Sequence, residues 1–150
     1  MEQARQKIMA KWFLLLTFFV TTGCQTGIFI KETPAALTDI RKAVVTVLGQ
    51  PKVTSQNGRE LISEFHDKKG HVDSALAKAK NRYHTVVTIL GERRPYDIKV
   101  EVFQEAKTED QQYEVIAEDV DLAQKLANQI ETTLNESLKN RNVIDDFKAF

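Results

Sequence analysis

The sequence predicts an α+β domain: an antiparallel sheet of about four to five strands, with an N-terminal helix and a long C-terminal helix packed on one face. Three observations predict it. Apolar residues recur at helical spacing near both ends, period-two alternation fills the middle, and Asn57-Gly58 marks a hairpin between two short runs.

The first helix is expected to open at Thr33-Pro34, where Thr33 is placed to cap free amides and Pro34 loses no hydrogen bond. Leu37, Ile40, Val44, Val47 and Leu48 form its apolar stripe, and Gly49 with Pro51 stops it. Residues 52–56 and 59–66 read as strands around Asn57-Gly58, and Asp67-Lys68-Lys69-Gly70 ends the second. Between residues 71 and 81 two readings stand. Asp73-Ser74 is placed to cap a brief helical turn through Leu76, whereas Lys78, Lys80 and Arg82 equally continue a strand.

Residues 83–90 are rich in β-branched and aromatic side chains, and Gly91-Glu92-Arg93-Arg94-Pro95 turns the chain. Tyr96, Ile98, Val100 and Val102 then alternate with Asp97, Lys99 and Glu101, which implies one wet face and one buried face. Phe103 breaks the phase and predicts a bulge or the strand's end. After a charged loop at 107–111, residues 112–117 make a further strand. Asp121 with Gln124 resembles a capping box, and Asp119 adds negative charge where the helix dipole favours it. Leu122, Leu126, Ile130, Leu134 and Leu138, with Ala123 and Ala127, give the second helix a long stripe. Val143, Ile144, Phe147 and Phe150 predict a short tail helix over residues 140–150.

Composition bounds the function. The 150 residues are 42% hydrophobic and 28% charged, enough for one domain with its own core. With 21 Lys+Arg against 21 Asp+Glu, the chain lacks the basic surplus of a nucleic-acid binder and the acidity of a disordered tail. The lone cysteine, Cys24, excludes an internal disulfide and a multi-cysteine metal centre.

The N-terminus carries the strongest address signal. Arg5, Lys7 and Lys11 precede the run Trp12-Phe13-Leu14-Leu15-Leu16-Thr17-Phe18-Phe19-Val20, which exits through Thr21-Thr22-Gly23-Cys24. This order describes an export signal. Nine or so apolar residues at ~1.5 Å each fall short of a ~30 Å hydrocarbon core, so the run does not span by itself. Residues 12–30 as a whole carry no charge, and an uncleaved anchor helix is the rival reading. Thr21, Thr22, Gly23, Gln25, Thr26 and Gly27 dilute its second half.

Gly23-Cys24 after such a run resembles the lipobox of bacterial lipoproteins, with Thr22 and Gly23 at the small positions and Thr21 in place of the usual aliphatic residue. The resemblance implies cleavage before Cys24, diacylglycerol on its thiol and an acyl chain, such as palmitate, on its new amine. Gln25 is not the aspartate that in enterobacteria retains such proteins in the inner membrane, so the resemblance implies the outer membrane, facing the periplasm. The organisation expected is a signal peptide at 1–23, a lipidated tether at 24–32 and one α+β domain at 33–150. Residues 37–52, a helix ending in Leu48-Gly49-Gln50-Pro51 before a hairpin, are also faintly similar to small lipoproteins that support outer-membrane-protein assembly.

Catalytic signatures such as Gly-x-Ser-x-Gly or His-Glu-x-x-His do not occur in the sequence. His66 and His71 flank a turn and His84 starts a strand, so a shared metal site would need convergence from separate elements; solvent-exposed turn histidines are the simpler expectation. Glu118-Asp119 and Asp145-Asp146 are expected to be solvated acids. Arg93-Arg94-Pro95-Tyr96 is the candidate partner-binding segment, able to grip a phosphate, a cell-wall carboxylate or an acidic protein surface, with Lys78, Lys80 and Arg82 as candidate neighbours. The simpler reading is a charged loop with Pro95 fixing φ and Tyr96 starting the core face.

The function expected is a membrane-anchored, non-enzymatic binding or assembly module of the cell envelope, without cofactor or metal, whose partner is an envelope protein or cell-wall component. The alternatives are a lipid- or lipopolysaccharide-binding protein, which needs an apolar cavity between helices and sheet, and a cell-wall-modifying hydrolase using dispersed carboxylates.

Overall fold

A computed structural model describes residues 27–139. Strand β1 (Ile28–Thr33) leads into helix α1 (Leu37–Leu48), followed by β2 (Pro51–Thr54), β3 (Glu60–Ser63), a 3-10 turn (Ser74–Lys78), β4 (Asn81–Leu90), β5 (Tyr96–Lys107), β6 (Tyr113–Glu118) and helix α2 (Val120–Lys139). The expected tail helix lies outside the described residues. The class is α+β, with an antiparallel sheet of 6 strands rather than four or five.

The added strand is β1. The segment expected to be a tether pairs from Ile28 onward with β5, as Ile28↔Val100 and Ile30↔Ile98. Burial of Ile30 in the core explains the difference: a hydrophobic residue that close to a sheet edge gains more by pairing than by hanging free. The same strand takes residues 28–30 out of any helix over 12–30.

The strands run in the order β1-β5-β4-β3-β2, and β6 shares with β1 the same side of the long β5. The two inner ladders, β3–β4 and β4–β5, keep unbroken register. All three outer ladders slip: β1 between Ile30 and Thr33, β2 between Pro51 and Val53, and β6 opposite Gln104 and Glu105. In the last, Ile116 is the extra residue, so the irregularity expected at Phe103 falls one residue later and on the partner strand, while β5 itself continues to Lys107. Slipped registers at edges interrupt the row of free amides that would otherwise template aggregation.

The alternation of β5 sorts as its sequence requires. Ile98, Val100 and Val102 are fully buried beneath the helices together with Val87 and Ile89 of β4, whereas Lys99, Glu101, Phe103 and Glu105 line the opposite face. Ile40, Ala43 and Val44 of α1 and Leu122, Ala123, Leu126, Ala127, Ile130 and Leu134 of α2 complete one core cluster. Both helices therefore cover one face. Neither α-helix covers the other face, called the open face below, whose far end meets the 3-10 turn through Arg82 and Tyr113; among the described residues no helix is long and apolar enough to cross a membrane.

Two cap assignments change. Thr33 does not cap α1: it is the buried last residue of β1, paired with Tyr96, and Ala36 precedes the helix without a side-chain cap. The helix begins at Leu37, so Thr33, held in the ladder opposite Tyr96, lies three residues ahead of the N-cap position and its hydroxyl is not placed to take the first free amides. Gly49 closes α1 at φ 79°, its N–H donating to Val45 O at 2.9 Å. At α2 the cap is Asp119, whose Oδ1 accepts from Leu122 N–H at 3.0 Å, and Asp121 sits in the first turn. The expected brief turn after Asp73 is present, with Asp73 accepting from Ala75 N–H.

Candidate functional site

Two ends of the sheet concentrate polar chemistry. At one, the β2–β3 and β4–β5 turns come together beside the start of α1. Arg41 of α1 donates to the carbonyls of Gly58 (2.7 Å) and Asn57 (2.8 Å). Arg59 donates to the carbonyls of Gly91 and Glu92, and its guanidinium lies 5.5 Å over the ring of Tyr96. Two arginines thus brace helix to turn and turn to turn through carbonyl oxygens, a geometry the guanidinium fork suits. A side chain at Gly58 would collide with Arg41, and φ there is +62°, so this glycine is needed on both counts.

On that braced tip Arg93 and Arg94 are exposed, and neither forms an ion pair among the described residues. A cis peptide joins Arg94 to Pro95. Tyr96 is half-buried and packs against the core, so it floors the tip beneath Arg59 instead of presenting a ring to solvent. Lys78, Lys80 and Arg82 do not join this patch. They lie at the far end of β4, whose ten residues separate them from the tip by roughly 30 Å. Arg41 and Arg59 take their place, and no local pattern in the sequence foretells it.

The far end holds a second cluster, on the open face. The Arg82 guanidinium lies between the rings of Phe65 (3.6 Å) and Tyr113 (3.4 Å) and donates to Glu105 Oε2 (2.6 Å) and to Ala77 O (2.8 Å). Tyr113 in turn donates to Ala79 O at 3.0 Å. His84 Nδ1 stands 3.0 Å from Glu105 Oε1, its ring tilted against Phe103. Arg82 and Glu105 are only 12% and 14% exposed, so the cluster is closed upon itself. Burial pushes the His84 pKa down, against the opposing pull of Glu105; the charges of His66, Arg82 and Lys52 add to the lowering.

His66 corrects the expectation of exposed turn histidines. It is 3% exposed, on the helix side of the sheet. Its Nδ1 is 2.9 Å from Asp67 O, and a carbonyl only accepts, so Nδ1 carries the proton and Nε2 accepts from the Thr85 hydroxyl at 2.9 Å. Burial lowers its pKa. Only His71 is an exposed turn histidine, 3.5 Å from Asp67 Oδ2. Backbone N–H groups of His71 and Lys69 both donate to Asp67 and hold its carboxyl below the usual range. Among the described residues no group of three or more metal-type ligands gathers. Asp119 is spent on the α2 cap rather than solvated, while Asp145-Asp146 lies outside the described residues.

The layer between helices and sheet is filled by Ile40, Val87, Ile98, Val100, Val102 and Ile130, all at 0% exposure. A surface groove of about 580 Å³, open to solvent, lies between α1 and α2, bordered by Thr46, Lys125, Asn128 and Thr132.

Thr21, Thr22, Gly23 and Cys24 lie outside the described residues, but the point where their segment meets the body is defined. Gly27 has φ +103°, and a Cβ there would come within 2.8 Å of Glu101 Cγ and of Lys99 Cε. Lys99 Nζ and Glu101 Oε1 pair at 2.7 Å beside it. Comparison with protein-family models, curated proteins and solved structures finds no match to this chain.

Proposed function

We propose that the chain is a lipid-anchored, non-enzymatic binding or assembly module of the cell envelope, acylated at Cys24 and carried on the periplasmic side of the outer membrane. The observation that carries the reading is the junction of signal and body. Basic residues, an apolar run and Thr22-Gly23-Cys24 are followed, after only Gln25, Thr26 and Gly27, by a strand already paired into the sheet. Fully extended, that stretch reaches at most about 14 Å, so acyl chains on Cys24 hold the body directly at the bilayer. Arg93 and Arg94, on a tip braced by Arg41 and Arg59, are the proposed contact for an acidic envelope protein or cell-wall carboxylate.

The test is metabolic labelling with an alkyne analogue of palmitate, with mass spectrometry of the product. The expected result is label on the wild-type chain, a mature N-terminus at Cys24, and loss of both label and membrane fractionation in Cys24→Ser. An intact Met1 and a bare thiol would overturn the reading.

A further inference from the structure

We propose that the outer edge of β6 is a docking strand for an extended, basic segment of a partner protein, which adds to the sheet with apolar side chains against Val115 and Ile116 and cations against the acids around them. The site is separate from the arginine tip and does not depend on the lipid anchor.

The backbone carries the first part. Among the described residues β6 pairs with β5 alone, so its other edge is free. Thr108 N–H donates to Gln112 O at one end of this ladder, and Asp119 N–H donates to Val102 O at the other. Amides alternate in direction along an antiparallel strand, so Tyr113, Val115 and Glu118 turn their N–H and C=O groups away from β5. Ile116, the extra residue of the bulge, interrupts this row. Indiscriminate stacking of long strands is thereby hindered, whereas a short segment pairing at Tyr113–Val115 is not.

The side chains state what the edge receives. Val115 and Ile116 are each 57% exposed, the highest values of any large apolar side chain among the described residues, and Val120 at the start of α2 is exposed as well. Residues 108–124 hold six acids, Glu109, Asp110, Glu114, Glu118, Asp119 and Asp121, and no Lys or Arg. None of the six forms an ion pair among the described residues. Glu118 Oε1 is shielded from water and has no hydrogen-bond partner among those residues, so it is ready to accept from a strand laid alongside. In a chain with 21 acids and 21 bases, this local surplus selects the sign of the partner. It also disfavours two other occupants. Anionic lipid is repelled, and a second copy paired β6 to β6 gathers Glu114 and Glu118 of both chains at one seam.

The test uses the full-length chain in a nonionic detergent, with a fluorescein-labelled peptide of Lys-Val repeats as the probe. Anisotropy is expected to show saturable binding that weakens as salt rises, and a Glu-Val peptide is expected not to bind. The Lys-Val peptide N-methylated throughout keeps its charges but cannot donate to a strand, and is expected to bind roughly tenfold more weakly. A loss of about the same size is expected for the unmethylated peptide on Val115→Ser with Ile116→Ser, whose side chains are exposed and leave the fold intact. No saturable binding of the Lys-Val peptide overturns the proposal. Equal affinity for the N-methylated form, a comparison that needs no variant, overturns it by showing charge attraction without strand addition. Equal affinity for the serine variant overturns it by placing the peptide elsewhere. Sedimentation of the chain alone supplies the last arm: a dimer that the serine variant abolishes puts a second copy on this edge and also overturns the proposal.

Discussion

Arg82 and Glu105 face each other across the β4–β5 ladder, Nε to Oε2 at 2.6 Å, with the guanidinium held between Phe65 and Tyr113. The pair is largely sealed from water by its neighbours, so its loss is felt as an unpartnered charge as well as a missing bond. Arg82→Met is expected to lower stability by about 1.5–3 kcal/mol in urea titration. The double variant with Glu105→Gln is expected to cost less than the sum of the singles, because each single strands the other partner.

Acid should weaken the fold in a defined window. Burial lowers the pKa of His66 and of His84 from 6.5, so the folded state resists a proton that the unfolded chain accepts. Stability is therefore complete above that unfolded value and is lost as pH falls below it toward the folded values. Asp67 works the other way and lower down: its depressed pKa contributes stability that is lost only as pH falls below its ordinary 3.8. Urea midpoints at pH 7.5 and 5 isolate the histidines. A midpoint unchanged between them would contradict the burial of both rings.

The α2 cap separates two neighbouring acids by role. Asp119→Ala is expected to cost about 1 kcal/mol, because the Leu122 N–H loses its acceptor. Asp121→Ala removes only a favourable charge from the first turn, worth about 0.3–1 kcal/mol. Thermal melts of the two variants and of Asp119→Asn, which restores the cap, check the order.

Charge reversal at the tip should leave the fold intact. Arg93→Glu with Arg94→Glu is expected to change stability by less than about 0.5 kcal/mol, since both side chains are exposed and unpaired among the described residues. Capture of envelope partners by the lipidated protein is expected to be lost. Unchanged capture would remove the tip from the proposal.

Much of the architecture was legible because it is written in local period. The alternation over Tyr96–Val102, the stripe of α2 and the turn at Asn57-Gly58 each state their element within a few residues. β1 was not legible, because Ile28–Thr33 is short, lies beside an apolar leader and gains its meaning only from β5, far along the chain. The same reason hides the tip. Arg93 and Arg94 stand out in the sequence, but Arg59 and Arg41 acquire their roles only when two turns and a helix meet. His66 shows the converse failure: flanked by turn residues it reads as exposed, yet its bridge to Tyr83 draws it inside.

The seat of β1 also imposes an order of events. A chain leaving the ribosome or a translocon amino end first presents Ile28–Thr33 long before Tyr96 and Val100 exist to receive it. Until β5 has emerged, this strand has no ladder partner, whatever the rest of the nascent chain has formed. The β1–β5 ladder therefore closes only after the first helix and the three intervening strands have left the ribosome, and the β5–β6 ladder follows it.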